Sequence, residues 1–167
     1  MRIYLVRHAE SVDRVGTMPD SARYLTARGR ISFRAAAARF RDTGANPAYL
    51  LTSPCVRAVQ TAEILSEAVR YEGTVIVAPQ LAPGFDVDGL NAVLDECTGA
   101  GEVALIGHEP DLGRVLTQLL SLTTAYAMRK GAIAAVDVPD SGNRIRGTFA
   151  WLLEGEKRIS EISGLSR

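Results

Sequence analysis

The chain has 167 residues, 47% of them hydrophobic, which suits a single domain over 1–167 with a core of its own. Its 19 basic and 19 acidic residues cancel, so bulk charge gives no reason to expect nucleic acid, and any anion site must be local. No apolar run approaches the ~20 residues of a membrane span, no leader is read, and Cys55 and Cys97 lack metal or C-x-x-C spacing. The expectation is a cytoplasmic protein with reduced thiols and no membrane partner.

Residues 2–6 read as the first strand. A helix follows over about 27–43, where Phe33, Ala36, Ala37 and Phe40 fall at i, i+3, i+4 and i+7, with Thr26 as N-cap and Gly44 as stop. Tyr49 to Thr52 is a short second strand. Ser53-Pro54 then reads as the N-cap and first position of a helix whose inner stripe is Ala58, Ala62, Leu65 and Val69. Thr74 to Val77 is a third strand, and Leu90, Val93, Leu94 and Cys97 mark the next helix. Glu102 to Ile106 is short and almost wholly apolar, as a strand covered on both faces should be. Leu112, Val115, Leu116 and Leu119 mark a further helix. Residues 131–138 and 145–153 read as two more strands, with Asp140-Ser141-Gly142-Asn143 as a hairpin turn between them and hence an antiparallel edge. The last dozen residues carry no pattern. Strands alternating with helices predict an α/β layered domain.

The chain holds only two histidines, His8 and His108, and each follows a strand-like run. Ligands of open α/β sheets lie outside the carboxyl ends of the strands, so both imidazoles are expected in one crevice. A neutral imidazole is a good nucleophile near pH 7, and its attack on a phosphoryl group gives a covalent phosphohistidine. The charge on the transferred group then calls for fixed cations, for which the planar fork of Arg is well suited. Arg7 precedes His8; neighbours on a strand point to opposite faces, so a shared site requires the strand to end at about Val6. Arg57 lies in the first turn of the Ser53-Pro54 helix, whose free N–H groups favour anions. His108 stands just before a helix, and its imidazolium would bind a phosphate oxygen. Alone, each segment reads as an ordinary turn or helix start; the combination is far more specific.

Arg7-His8-Ala9-Glu10, Ser53-Pro54-Cys55-Val56-Arg57-Ala58-Val59-Gln60-Thr61-Ala62 and Gly107-His108-Glu109-Pro110-Asp111 resemble, in order and spacing, three signatures of the histidine phosphatase superfamily (phosphoglycerate mutase-like). The resemblance implies His8 as nucleophile, and Arg7, Arg57 and His108 as the phosphate pocket. It implies a three-layer α/β/α sandwich on a mostly parallel mixed sheet, with no metal and no cofactor. About 50 residues separate His8 from Arg57, and Arg57 from His108, which leaves little material for a lid. Ser21 to Gly29 and Arg129 to Ala134 are similar to segments of the bacterial SixA phosphohistidine phosphatases. That likeness makes Arg23 a further phosphate contact, although Tyr24 replaces the usual Pro, and it fades after about residue 138.

Hydrolysis of an alkyl phosphate needs a proton donor for the leaving alkoxide. A phosphohistidine needs less help, because its second ring nitrogen can carry a proton. The segment Leu81 to Asp88 lies where mutase-like members hold their acid, and it offers Pro83 there, with Asp86 and Asp88 nearby. Asp86 is the stronger acid candidate and Glu10 a weaker one, but an N-cap is the plainer role for either aspartate. The expected substrate is a phosphohistidine-bearing protein such as a histidine-containing phosphotransfer domain, with phosphate as product. A small-molecule phosphomonoesterase and a non-catalytic phosphoprotein-binding module are the alternatives. Arg30, Arg34 and Arg41 form a stripe on the first helix, either a solvated face or a docking strip for an acidic partner.

Overall fold

The structure is a computed structural model and describes residues 1–142 and 144–165. In chain order its main elements are β1 (Arg2–Arg7), α1 (Ala27–Arg41), β2 (Tyr49–Thr52), α2 (Val56–Val69), β3 (Ile76–Val77), α3 (Val87–Glu96), β4 (Glu102–Gly107), α4 (Asp111–Leu119), β5 (Ile133–Asp137), β6 (Thr148–Glu154) and β7 (Lys157–Ile159). The strands form one mixed sheet in the order β3-β2-β4-β1-β5-β6-β7. The first four strands are mutually parallel; β5, β6 and β7 join antiparallel in succession.

Strand alternation builds the layers. Tyr4, Val6, Leu50, Ala104 and Ile106 face one side, where Phe33, Ala37 and Phe40 of α1 and Ala58, Ala62 and Leu65 of α2 cover them. Ile3, Leu5, Leu51, Val103 and Leu105 face the other, under Leu90, Val93 and Leu94 of α3 and Leu112, Val115 and Leu116 of α4. Both faces are apolar because both are covered. The outcome is the expected three-layer α/β/α sandwich, phosphoglycerate mutase-like and without large insertions.

Several boundaries differ from the sequence reading. The first strand does not stop at Val6: the His8 N–H donates to the Gly107 carbonyl and sustains the β1–β4 ladder through Arg7. The second helix begins at Val56 after Cys55, not at Ser53-Pro54. Ser53 turns its hydroxyl onto the Cys55 N–H instead, a local turn that delays the helix. The third strand keeps only Ile76 and Val77, both exposed at the sheet edge. The predicted β5–β6 hairpin turn is a longer loop, and its Asn143 lies outside the described residues. The loop winds around Arg144, a fully buried side chain that donates to the carbonyls of Pro139, Asp140 and Gly142 and to Asp95. The patternless last dozen residues include β7, which pairs with β6, and a buried Leu165.

One close approach fixes the segment after His8. The Glu10 carbonyl accepts from the Thr26 N–H at 3.0 Å, and Thr26, the N-cap of α1, accepts from Gly29. A Cβ at position 29 would stand 2.1 Å from the Glu10 carbonyl oxygen. Gly29→Ala is therefore expected to destabilise the protein by about 1–2 kcal/mol: overpacking costs ~1–3 kcal/mol, and the helix-propensity gain returns at most ~1. A urea midpoint at or above that of the parent would contradict the contact.

Candidate active site

β2, β4 and β1 lie side by side and parallel, and their carboxyl ends deliver Ser53, His108 and His8. Because Arg7 pairs with Gly107, the next residue on each strand is a histidine, and the two rings lie 5.1 Å apart between centroids. They line a cavity of about 490 Å³ together with Arg7, Arg57 from the first turn of α2, and Arg23 from the loop before α1. The five residues expected to handle the phosphoryl group thus line one cavity.

The hydrogen bonds fix the state of each group. His8 Nδ1 lies 2.7 Å from the Ala9 carbonyl, which only accepts, so Nδ1 carries the proton. The lone pair is then on Nε2, and Arg57 Nε donates to it at 3.2 Å. His108 Nε2 pairs with the Ser53 hydroxyl at 2.7 Å. Among the described residues, His108 Nδ1 and Arg7 Nε are buried without a hydrogen-bond partner. Arg7 anchors itself by Nη1 on the Met128 carbonyl, 2.5 Å away, which lets its long side chain serve the cavity although the strand runs through it. An unpaired buried donor such as Arg7 Nε is costly, and an oxyanion in the cavity would supply its missing acceptor.

Burial sets the charge of the histidines. His8 is pulled down to about 3, first by burial and then by His108, Arg57 and Arg7, against the Ala9 bond that opposes the shift. His108 is lowered to about 4, again chiefly by burial, with Arg57 next. Both rings are therefore neutral at physiological pH, and the fixed positive charge comes from the guanidinium groups.

The other sequence candidates lie elsewhere. The Asp86 carboxylate caps α3 through the Gly89 N–H, and Asp88 sits in the first turn of that helix. Glu10 accepts from the Thr26 hydroxyl. None of the three lines the cavity, nor do Arg30, Arg34 and Arg41 on α1; Arg41 pairs with Asp42. The wall near the third strand is Pro83 and Gly84. The sequence reading missed Asp20, Asp111 and Lys130 as lining groups. Asp111 stands in the first turn of α4, and its Oδ2 accepts from Gly84 at 2.7 Å and ties the Pro83-Gly84 wall to that helix. Asp20 stands three positions before Arg23, and that spacing was the available signal. Among the described residues no His, Cys, Asp and Glu cluster has the arrangement of a metal site. No helix among them is long and apolar enough to cross a membrane.

The family model for the histidine phosphatase superfamily (branch 1) matches residues 3–82. The phosphohistidine phosphatase SixA of Escherichia coli (strain K12) is 31% identical over 153 residues, covering 90% of this chain and 92% of that protein. The chain belongs to the histidine phosphatase superfamily. It is accordingly a phosphatase, a hydrolase. A structure of the protein histidine phosphatase SixA complexed with tungstate superposes with a TM-score of 0.81 at 30% identity, over 93% of this chain and 97% of that one. The alpha-ribazole phosphatase of Shigella flexneri shares the fold, with a TM-score of 0.69 at 16% identity and 96% of each chain covered. Superfamily fold alone therefore does not choose between a protein and a small-molecule substrate.

The histidines make stability depend on pH with a definite sign. Unfolded histidine protonates near ~6.5, whereas the folded rings hold out to about 3 and about 4. Their contribution is fully present above ~6.5 and is lost as pH falls through that window, because the unfolded chain then binds protons that the folded chain refuses. The urea midpoint is expected to fall between pH 7.5 and pH 5, and to fall less in a His8→Asn, His108→Asn double variant. Equal losses in the two proteins would assign the effect to other groups.

Proposed function

We propose that this phosphatase removes the phosphoryl group from a protein phosphohistidine through a phospho-His8 intermediate. One observation carries the reading: inside a cavity rich in guanidinium groups, the ring lone pair of a neutral His8 is on Nε2, because the Ala9 carbonyl holds the proton on Nδ1, and Arg57 Nε is the group that releases it when the phosphoryl group enters. That a SixA structure is a complex with tungstate, itself an oxyanion, supports the reading.

The steps follow from the groups present. The His8 Nε2 pair attacks phosphorus while the bond to the substrate ring nitrogen breaks, its electrons leaving with that nitrogen. Arg7, Arg23, Arg57 and His108 hold the phosphate oxygens, and the buried Arg7 Nε–H gains an acceptor. Water then attacks phospho-His8, the P–Nε2 pair returns to the ring, and both protons of the water leave on inorganic phosphate. The Ala9 contact serves this second step also: with Nδ1 already protonated, His8 departs as neutral imidazole. A dedicated carboxylic acid is not needed on this route, and the wall beside the site offers Pro83 rather than an acid.

His8→Ala is expected to abolish turnover of a phosphorylated histidine-containing phosphotransfer domain without loss of helical content. Stoppage of catalysis with acid-labile label appearing on His8 of the parent supports the intermediate; near-parental activity in the variant would end it. The Asp86→Ala, Asp88→Ala double variant is expected to lose ~1 kcal/mol of stability from the missing cap while phosphohistidine hydrolysis stays within about twofold. A fall of ~10²-fold, the size of a general-acid effect, would refute the leaving-group argument. A panel of phosphohistidine proteins, aryl phosphates and sugar phosphates separates the protein substrate from the small-molecule alternative.

A further inference from the structure

Asp20 occupies a position the steps above do not use. It opens a short helical turn, Asp20–Ala22, at the rim of the cavity. Its Oδ2 accepts from Arg57 Nη2 at 2.8 Å and its Oδ1 from Arg23 Nη1 at 2.8 Å. Its backbone carbonyl accepts from Arg57 Nη1 at 2.6 Å. The side chain is nonetheless 47% exposed. A carboxylate has about four acceptor sites, and two are taken by these bonds, so each oxygen retains capacity toward the cavity. The other acids lining the cavity are committed to backbone: Asp111 to Gly84, and Glu109 to Met128.

We propose that the Asp20 carboxylate accepts a hydrogen bond from the protonated second ring nitrogen of the phosphohistidine substrate and so selects an imidazole over an alkoxide leaving group. This rests on the phosphohistidine reading of the site. The arginines assigned to the transferred phosphoryl group also hold Asp20, so its carboxylate lines the same cavity as the groups that would anchor the substrate. Bonding to Arg23, and secondarily to Arg57, keeps the Asp20 carboxyl below the usual carboxylate range. It is thus an acceptor and a poor proton donor. An alkoxide would need a proton from it, whereas a phospho-imidazolium needs an anion beside it.

The proton balance is simple. The substrate ring brings its own proton on the nitrogen that bears no phosphorus. His8 Nε2 forms its bond to phosphorus, the P–N bond to the substrate breaks, and that electron pair stays on the substrate nitrogen. The ring leaves as neutral imidazole with its proton still on the distal nitrogen. Asp20 takes no proton at any stage; it stabilises the protonated form of the bound ring.

Asp20→Asn removes the charge and keeps both shape and backbone. With a phosphotransfer domain phosphorylated by phosphoramidate, and with phosphoimidazole, kcat is expected to fall at least about tenfold, the scale of one hydrogen bond to a charged group. The alkaline limb of the kcat profile moves to lower pH, because the bound ring loses its proton more easily. With p-nitrophenyl phosphate the sign reverses: kcat/KM rises, since an anion competing for Arg57 and Arg23 has gone. Equal losses on both substrate types would overturn the proposal and reduce Asp20 to a positioner of Arg57. Unchanged kcat on the phosphoimidazole substrates, or an unmoved alkaline limb, would overturn it too. If the parent fails on all phosphohistidine substrates yet cleaves the ester, the reading of the site itself falls, and this proposal with it.

Discussion

The parallel pairing of β1 with β4 in the register Arg7 to Gly107 is the constraint on which the site depends. A slip by one residue would move one histidine to the opposite face of the sheet and separate the rings. The register is held by burial on both faces: each slip would exchange residues that touch α1 and α2 for residues that touch α3 and α4. The apolar strands therefore do more than close the core. They make the active-site spacing a consequence of core packing, and the His8 N–H to Gly107 bond carries that precision one residue beyond the strand.

The charges in the cavity follow from the same placement. Two imidazoles buried next to guanidinium groups stay neutral, so His8 keeps a lone pair on Nε2 and His108 keeps a buried Nδ1 with no hydrogen-bond partner among the described residues. Several cations gathered without an anion would repel one another, and Asp20 offsets that repulsion by bridging Arg57 and Arg23. The bridge also orients the fork of Arg57, whose third N–H points to His8. His8, Arg57, Arg23 and Asp20 are thus held in one network, and its half-open member is the carboxylate.

Much of this was legible in the chain, for identifiable reasons. Helix stripes such as Phe33, Ala37 and Phe40 obey the 3.6 period and lie buried as read. His8, Arg57 and His108 stand at strand-to-helix transitions, where apolar runs end in polar residues, so the site announced itself by position. What stayed hidden depends on contacts distant in sequence. Arg144 looks like an ordinary loop arginine until five acceptors surround it, and Asp20 looks like a turn residue until Arg57, 37 positions away, closes on it. Ser53 fits an N-cap by local rules, but the His108 ring competes for its hydroxyl and the helix starts later.

The rim of the cavity bears on the kind of substrate. Its walls come from the β1–α1 loop, from Pro83 and Gly84 between β3 and α3, and from Lys130 before β5, and none of these connections carries more than a short helical turn. A small sugar phosphate offers few contacts beyond its phosphate, so enzymes that favour such substrates gain from a roof that closes over them. A phosphohistidine projecting from a folded protein brings its own roof: the partner surface excludes water once docked. Short walls then remove an obstacle to docking, while Arg57, His8 and His108 remain far enough inside to meet only the projecting ring and its phosphoryl group.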